Sequence, residues 1–184
     1  MPNINEQKES IWQLDPAHTN IEFSVKHMMI STVKGRFESF EGKFFGEIDK
    51  IENGEIEVSI DANSISTKEG DRDRHLRSPD FFYTEKYPKI KFVSKKIKKI
   101  DSTTYEVTGE LTIREVTKST TFRTMIEGKI TDPYGNERVG VSVEGSLNRT
   151  KWNLKWNSIL EAGGIMVGEI VKINAELEAI KIKQ

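Results

Sequence analysis

Three histidines, His18, His27 and His75, are the conventional proton-transfer candidates in this chain, and Asp15, Asp73 and Asp80 lie near them in sequence. Acid–base chemistry needs such groups at hydrogen-bond reach, and a metal site needs several at ligand spacing. No spacing among these residues forms a metal motif, so the expectation is no metal and no cofactor. Asp15-Pro16-Ala17-His18 and Val25-Lys26-His27 read as strand-edge positions, where a histidine bonds locally or faces solvent. The chain has no cysteine, which excludes disulfides, thiolate zinc and a catalytic thiol. Nor does it carry a nucleophile elbow, a phosphate-cradling glycine loop or an HExxH pair. The residues predict a protein that is not an enzyme.

The cations carry one further chemistry. Arg74, His75 and Arg77 precede Phe81-Phe82, and positive charge beside an apolar mouth neutralises an anionic head group. The mixed run Asp71-Arg72-Asp73-Arg74 reads most simply as an exposed face. Lys95-Lys96-Ile97-Lys98-Lys99 is interrupted by Ile97 and has no aromatic ladder beside it, so it reads as a solvated strand end. Across 184 residues, 28 basic and 29 acidic side chains leave a formal charge of −1, and no nucleic-acid partner is expected. No stretch approaches the ~20 apolar residues of a membrane span. Met1 to Ser10 lack the basic and apolar regions of a secretory signal, which predicts a cytoplasmic chain, or a periplasmic one if a leader has been trimmed.

What must position these groups is a set of strands. Apolar residues recur at every second place: Ile21, Phe23, Val25; Ile56, Val58, Ile60; Tyr105, Val107, Leu111, Ile113; Val139, Val141, Val143, Leu147; Val171, Ile173, Ala175, Leu177. Further strands are expected at Trp12 to Leu14 (resuming after Asn20), Gly35 to Asp49, Lys89 to Ile100 and Thr117 to Ile130. Turn signals sit at Glu52-Asn53-Gly54, Asp101-Ser102-Thr103 and Asp132-Pro133-Tyr134-Gly135-Asn136. Roughly eight long strands with short connections fit a sandwich or a closed barrel; closure removes exposed edges, so the expected fold is all-β, a single extended antiparallel eight-stranded barrel. Two helical excursions are expected, one from Ser66 or Thr67 to Arg77 and one over Trp152 to Val167. In the second, Trp152, Trp156, Ile159 and Leu160 would share a face and lid the lumen.

An eight-stranded barrel is just wide enough to be filled by its side chains or to hold one slender ligand. Interiors are normally filled. Strand glycines at Gly42, Gly46, Gly109, Gly128 and Gly145 mark bends, bulges or the close approach of a ligand. The inward face is assigned to Phe23, Val25, Phe37, Phe40, Phe44, Val58, Ile60, Phe92, Leu111, Ile113, Phe122, Val141 and Val143.

The segment Trp12 to His27 (WQLDPAHTNIEFSVKH) resembles the opening of the YceI-like polyisoprenoid-binding proteins. The resemblance continues in His75-Leu76-Arg77-Ser78-Pro79-Asp80-Phe81-Phe82, in Tyr87 to Ser94, in Gly109 to Arg114 with Thr117-Lys118, and in Leu160 to Gly164 with Val167 to Val171. It covers roughly residues 11 to 181 as one domain over 11–184 behind a tail of residues 1–10. It departs from the family pattern at Glu115, where a glycine is usual, and at Lys151 and Asn153 around Trp152.

The resemblance implies a lipocalin-like barrel that holds an isoprenoid or related lipid chain, which shifts the expectation from a filled interior to a cavity. The inward residues, together with Arg74, His75, Arg77, Phe81, Trp152 and Trp156, then become the candidate ligand contacts. The expected function is reversible sequestration or transport of a long apolar chain (polyisoprenoid, quinone tail or fatty chain), without stable membrane insertion; a homodimer stays open. The alternatives are an interaction or stress-response module with a filled barrel and a His-dependent enzyme acting on a lipid-like substrate.

Overall fold

The computed structural model describes residues 9–160 and 163–183. The strands are β1 (Ile11–Leu14), β2 (Asn20–His27), β3 (Ser31–Phe37), β4 (Phe40–Phe45), β5 (Glu55–Asp61), β6 (Ile65–Ser66), β7 (Lys89–Lys99), β8 (Thr104–Ile113), β9 (Val116–Thr131), β10 (Glu137–Asn148) and β11 (Val167–Lys181). They form one antiparallel sheet in the order β1-β4-β5-β7-β8-β9-β10-β11, and β1 pairs back onto β11 to close it. From β11 the order continues through β2, β3 and β6. Three of the staves are split in two. β1 and β2 both pair with β11, β4 and β3 pair with β1 and β2, and β5 and β6 pair with β4 and β3. The result is the closed eight-stranded barrel expected from the sequence.

The splits have local causes. Asp15 accepts from the Ala17 amide and caps a 3₁₀ turn at Pro16–His18, where proline cannot donate to a ladder. At the β3–β4 break, the Ser64 hydroxyl accepts from the amides of Glu38 and Ser39 at 3.1 and 3.0 Å, standing in for absent strand partners. Residues Ile48 and Asp49 lie in a 3₁₀ segment (Ile48–Asn53), so the stave predicted over Gly35 to Asp49 ends at Phe45. The turns after β7 and β9 form as their sequences predict: Asp101 accepts from the amides of Thr103 and Thr104, and Asp132 from those of Tyr134 and Asn136.

Both predicted helices change. α1 (Gly70–Arg77) begins four residues later than Ser66, because Ser66 pairs with β3 and Glu69 caps the helix by accepting from Asp71 and Arg72. Thr67 is held instead by buried Asp73, which accepts from its amide at 2.8 Å. Over Trp152 to Val167 there is no helix among the described residues beyond a 3₁₀ turn at Arg149–Trp152, ended by Asn153 in the left-handed region at φ 63°. Within that span, Glu161 and Ala162 lie outside the described residues, as do residues 1–8 of the predicted tail.

The inward glycines have protein neighbours. Gly145 seats the ring of Phe122 across the β9–β10 pair, and Gly109 lies under the Phe92 ring and the Val93 carbonyl, so a Cβ at either place would overlap them. Gly128 stands opposite Gly140 beside the irregularity in the β9–β10 register, the bend that the sequence predicts. Gly109→Ala should cost about 1–3 kcal/mol, because the backbone carbonyl of Val93 cannot turn aside as a flexible side chain would. A urea midpoint matching the parent chain would show that the strand absorbs the methyl group.

Where β1, β10 and β11 meet, Arg138 donates to Asp132 at 2.8 Å and to Asp15 and Glu178 at 2.9 Å each. His18 adds a 2.9 Å contact to Asp15. Arg138 holds the Asp132 carboxyl well below the ordinary range, while His18 and then Arg138 lower Asp15. Asp15 in turn raises His18. Lowered carboxyls contribute stability above their unfolded pKa of ~4, and it is lost as pH falls through the lowered values; His18 contributes below ~6.5, and its share is lost as pH rises through the raised value. The melting-temperature deficit of Arg138→Gln should therefore be largest near neutral pH and shrink as the solution is acidified below ~4. A deficit constant across that window would detach Arg138 from the carboxylates.

Candidate functional site

Among the described residues, two apolar cavities lie inside the barrel. The larger cavity, about 450 Å³, is walled by Phe23, Val25 and Phe37 on β2 and β3, Ile113 on β8, His75 and Leu76 on α1, and Phe81, Phe82, Trp152 and Trp156 from the connections. The smaller, about 220 Å³, is walled by Phe44, Val58, Phe92, Val141 and Val143 with Trp12, Tyr105, Val107 and Val139. Ile21, Ile60, Leu111, Phe122 and Ile173 border both, so they form a waist between two chambers of one lumen. The walls are apolar nearly throughout. Aromatic rings meet edge-on or tilted across the lumen: Phe92 with Phe122 at 5.4 Å, Phe23 with Phe37 at 5.7 Å and Phe37 with Phe82 at 5.9 Å.

The head-group residues read from the sequence are divided by the turn of α1. His75 borders the larger cavity; its Nε2 meets Asp80 at 2.8 Å, and its ring lies 4.6 Å from Trp156 and 5.1 Å from Phe81. Arg74 is exposed and paired with Asp71, and Arg77 donates to the carbonyls of Asn63 and Ile65, so neither borders the cavity. The cation that the helix does bring to the wall is Arg72, three residues before His75, with its Nε on the Thr67 hydroxyl at 2.7 Å. Phe40 is also displaced from its expected place. It opens β4 opposite Ile60, half-buried beside the β3–β4 break, and borders neither cavity.

Arg149 was not singled out in the sequence. Only 5% exposed, it lies on the wall of the larger cavity and donates to the carbonyls of Leu154, Trp156, Val167 and Gly168. Burial lowers its pKa, yet a guanidinium stays protonated. Its four acceptors come from both legs of the connection between β10 and β11, so one side chain closes the loop. Asn157 reinforces this by accepting from the amides of Ser158, Met166 and Val167. A signal existed: the inward series Val139, Val141, Val143, Gly145, Leu147 continues in phase to Arg149. Trp152 is buried beneath this loop and donates to the Leu111 carbonyl at 3.0 Å. Two of the departures from the family pattern touch each other, as Asn153 donates to Glu115 at 2.7 Å and holds its carboxyl below the ordinary range.

Asp15, His18 and Glu178 offer ligand atoms within 4.8 Å of one another. Arg138 already donates to both carboxylates, so the cluster is organised as an ion-pair network outside the lumen.

Residues 12–179 match the YceI-like domain. The chain belongs to the YceI-like family. It is similar to a UPF0312 protein of Staphylococcus aureus (strain USA300), 38% identical over 165 residues, which covers 89% of this chain and 94% of that protein. Among solved structures, the YceI-like barrel superposes on BcnA of Burkholderia cenocepacia with a TM-score of 0.78 at 21% identity, covering 90% of this chain and 98% of that one. A domain of Saccharophagus degradans, described as polyisoprenoid-binding and implicated in plant cell wall breakdown, superposes with a TM-score of 0.69 at 14% identity, covering 91% and 97%. At those identities the two structures establish the shared fold.

Proposed function

We propose that this YceI-like protein binds a long, slender apolar chain in the lumen and sequesters or transports it without turnover. The observation that carries the reading is the hollow interior: two apolar chambers of about 450 and 220 Å³ sharing one waist, where a filled barrel would have interlocked side chains. A polyisoprenoid, a quinone tail or a fatty chain matches that shape and chemistry. About ten buried methylene groups at ~0.8 kcal/mol each supply ~8 kcal/mol before ordering costs, which corresponds to roughly micromolar affinity from the chain alone. Support also comes from the Saccharophagus domain described as polyisoprenoid-binding, which has the same fold. Arg72, His75 (paired with Asp80) and Arg149 are among the polar groups at the wall of the larger chamber, together with Glu22, Lys26, His27, Thr67 and Asp71, and a ligand's polar end belongs beside them.

Native mass spectrometry of freshly purified protein tests this reading, coupled to organic extraction and analysis of released lipid. The expected result is a mass excess that disappears on extraction and is recovered as one class of long-chain lipid. Bare protein that also fails to take up a prenyl alcohol would sink the carrier reading.

A further inference from the structure

We propose that the rim of the larger chamber is a docking surface for a lipid bilayer, formed by the β2–β3 turn and the tip of the β10–β11 connection. The proposal rests on the carrier reading above and adds the place where cargo crosses. Met29 and Ile30 are 65% and 84% exposed on the turn, and Ile159 is 86% exposed on the connection. The two tips form one patch. The Met28 amide donates to the Met166 carbonyl at 2.8 Å, and Met29 Sδ packs close against Gly164. Ile159 bridges to Ile165 on the same tip.

The turn is an unexpected place for these residues. Met28 and Met29 both sit at positive φ, 49° and 61°, in the left-handed region where a hairpin turn ordinarily carries Asn or Gly. Neither backbone preference nor burial accounts for two methionines and an isoleucine there. Met28 and Met29 run against backbone preference, and Met29 and Ile30 against burial, which fits a contact outside the fold. Methionine's flexible thioether suits a surface that must adapt to a fluid partner.

Continuity with the lumen selects a bilayer as that partner. Lys26 and His27 at one leg of the turn, and Met166 and Val167 at one leg of the connection, border the larger chamber. An apolar chain passing from a membrane to the lumen by this route meets Met166 and Val167 beside Lys26 and His27 and then the apolar wall, whereas a route through water exposes its whole length. Between residues 28 and 32 no side chain is charged, and between 157 and 166 the sequence holds one acidic residue, Glu161, and no basic one. Binding should therefore come from shallow apolar insertion and need no anionic lipid.

The test uses the full chain and vesicles of pure phosphatidylcholine, beside vesicles of an equimolar phosphatidylcholine–phosphatidylglycerol mixture. Met28→Asn with Met29→Gly removes apolar surface while giving the turn the residues it favours, and Ile159→Asn does the same on the other tip. The expected result is flotation of the parent protein with both vesicle types and little change on adding salt. Each variant should lose partitioning by about tenfold or more, with unchanged geranylgeraniol binding in vesicle-free solution. No flotation of the parent, or equal flotation of the variants, would overturn the proposal. So would a shift from dimer to monomer in the variants' sedimentation, which would make the patch an interface between copies. Variant-sensitive flotation by a protein that fails to bind geranylgeraniol would leave the docking surface standing and remove the lumen reading.

Discussion

Replacing Leu111 with Trp is expected to lower affinity for a prenyl chain by about a hundredfold while moving the stability of the lipid-free protein by less than about 1 kcal/mol. Leu111 stands at the waist, where its side chain borders both chambers, and its backbone carbonyl, which the substitution keeps, accepts from Trp152. In a filled interior the added bulk would force strain costing about 1–3 kcal/mol. Here the indole has the two voids to enter, so the strain should be small. The same volume cannot hold both ring and chain, and displacing about four methylene groups at ~0.8 kcal/mol each removes roughly 3 kcal/mol of binding. Denaturation of delipidated protein, paired with a binding titration, reads both quantities. Lost stability with undiminished binding would falsify the hollow waist as the ligand's path.

Arg149→Met is expected to destabilise the protein by about 3 kcal/mol and to open the β10–β11 connection before the barrel itself. Met replaces much of the apolar volume but leaves the carbonyls of Leu154, Trp156, Val167 and Gly168 without the donor that gathers them. Hydrogen bonds from a charged donor contribute about 1.5–3 kcal/mol each, and water entering the opened loop compensates part of the loss. Arg149→Lys separates charge from geometry. One ammonium cannot span four acceptors on two legs, so Lys should recover only a fraction of the stability. Hydrogen exchange should show lost protection in residues 154–168, with β8 and β9 unaffected. Uniform loss across all strands would mean that Arg149 supports the barrel as a whole.

Individual residues show why some of this was legible in one dimension. Phe23, Val25, Val58, Ile60, Leu111, Phe122 and Val141 alternate with polar neighbours, and a period of two leaves a single assignment of faces once one side is buried. The antiparallel strands follow from that pattern and the short turns, which suit a sandwich as well as a barrel; the pairing of β1 with β11 closes the barrel. α1 was harder, because its cations run around the helix and only the packing of Leu76 against the core decides that Arg72 and His75 face the lumen while Arg74 and Arg77 do not. Trp152 and Trp156 stand four apart as in a helix. Arg149 takes the carbonyls, and the Asn157 side chain the amides, that helical bonds would otherwise use, so the segment stays irregular.

The chain's order of residues by itself determined the strand faces, the antiparallel neighbours, the turn chemistry at Asp101 and Asp132, and the YceI-like membership. The first three are set by contacts with near neighbours or by periodicity, and the membership is carried by the resemblance of ordered motifs along the chain. Only the tertiary structure decided that the interior is hollow, with a waist at Leu111 and Phe122 and a loop tied by Arg149. The space left inside a barrel is a small difference between the radius that closure imposes and the volume that facing side chains fill. That difference depends on where rings such as Phe92 and Phe122 come to rest over Gly109 and Gly145 on neighbouring strands, which no linear pattern specifies.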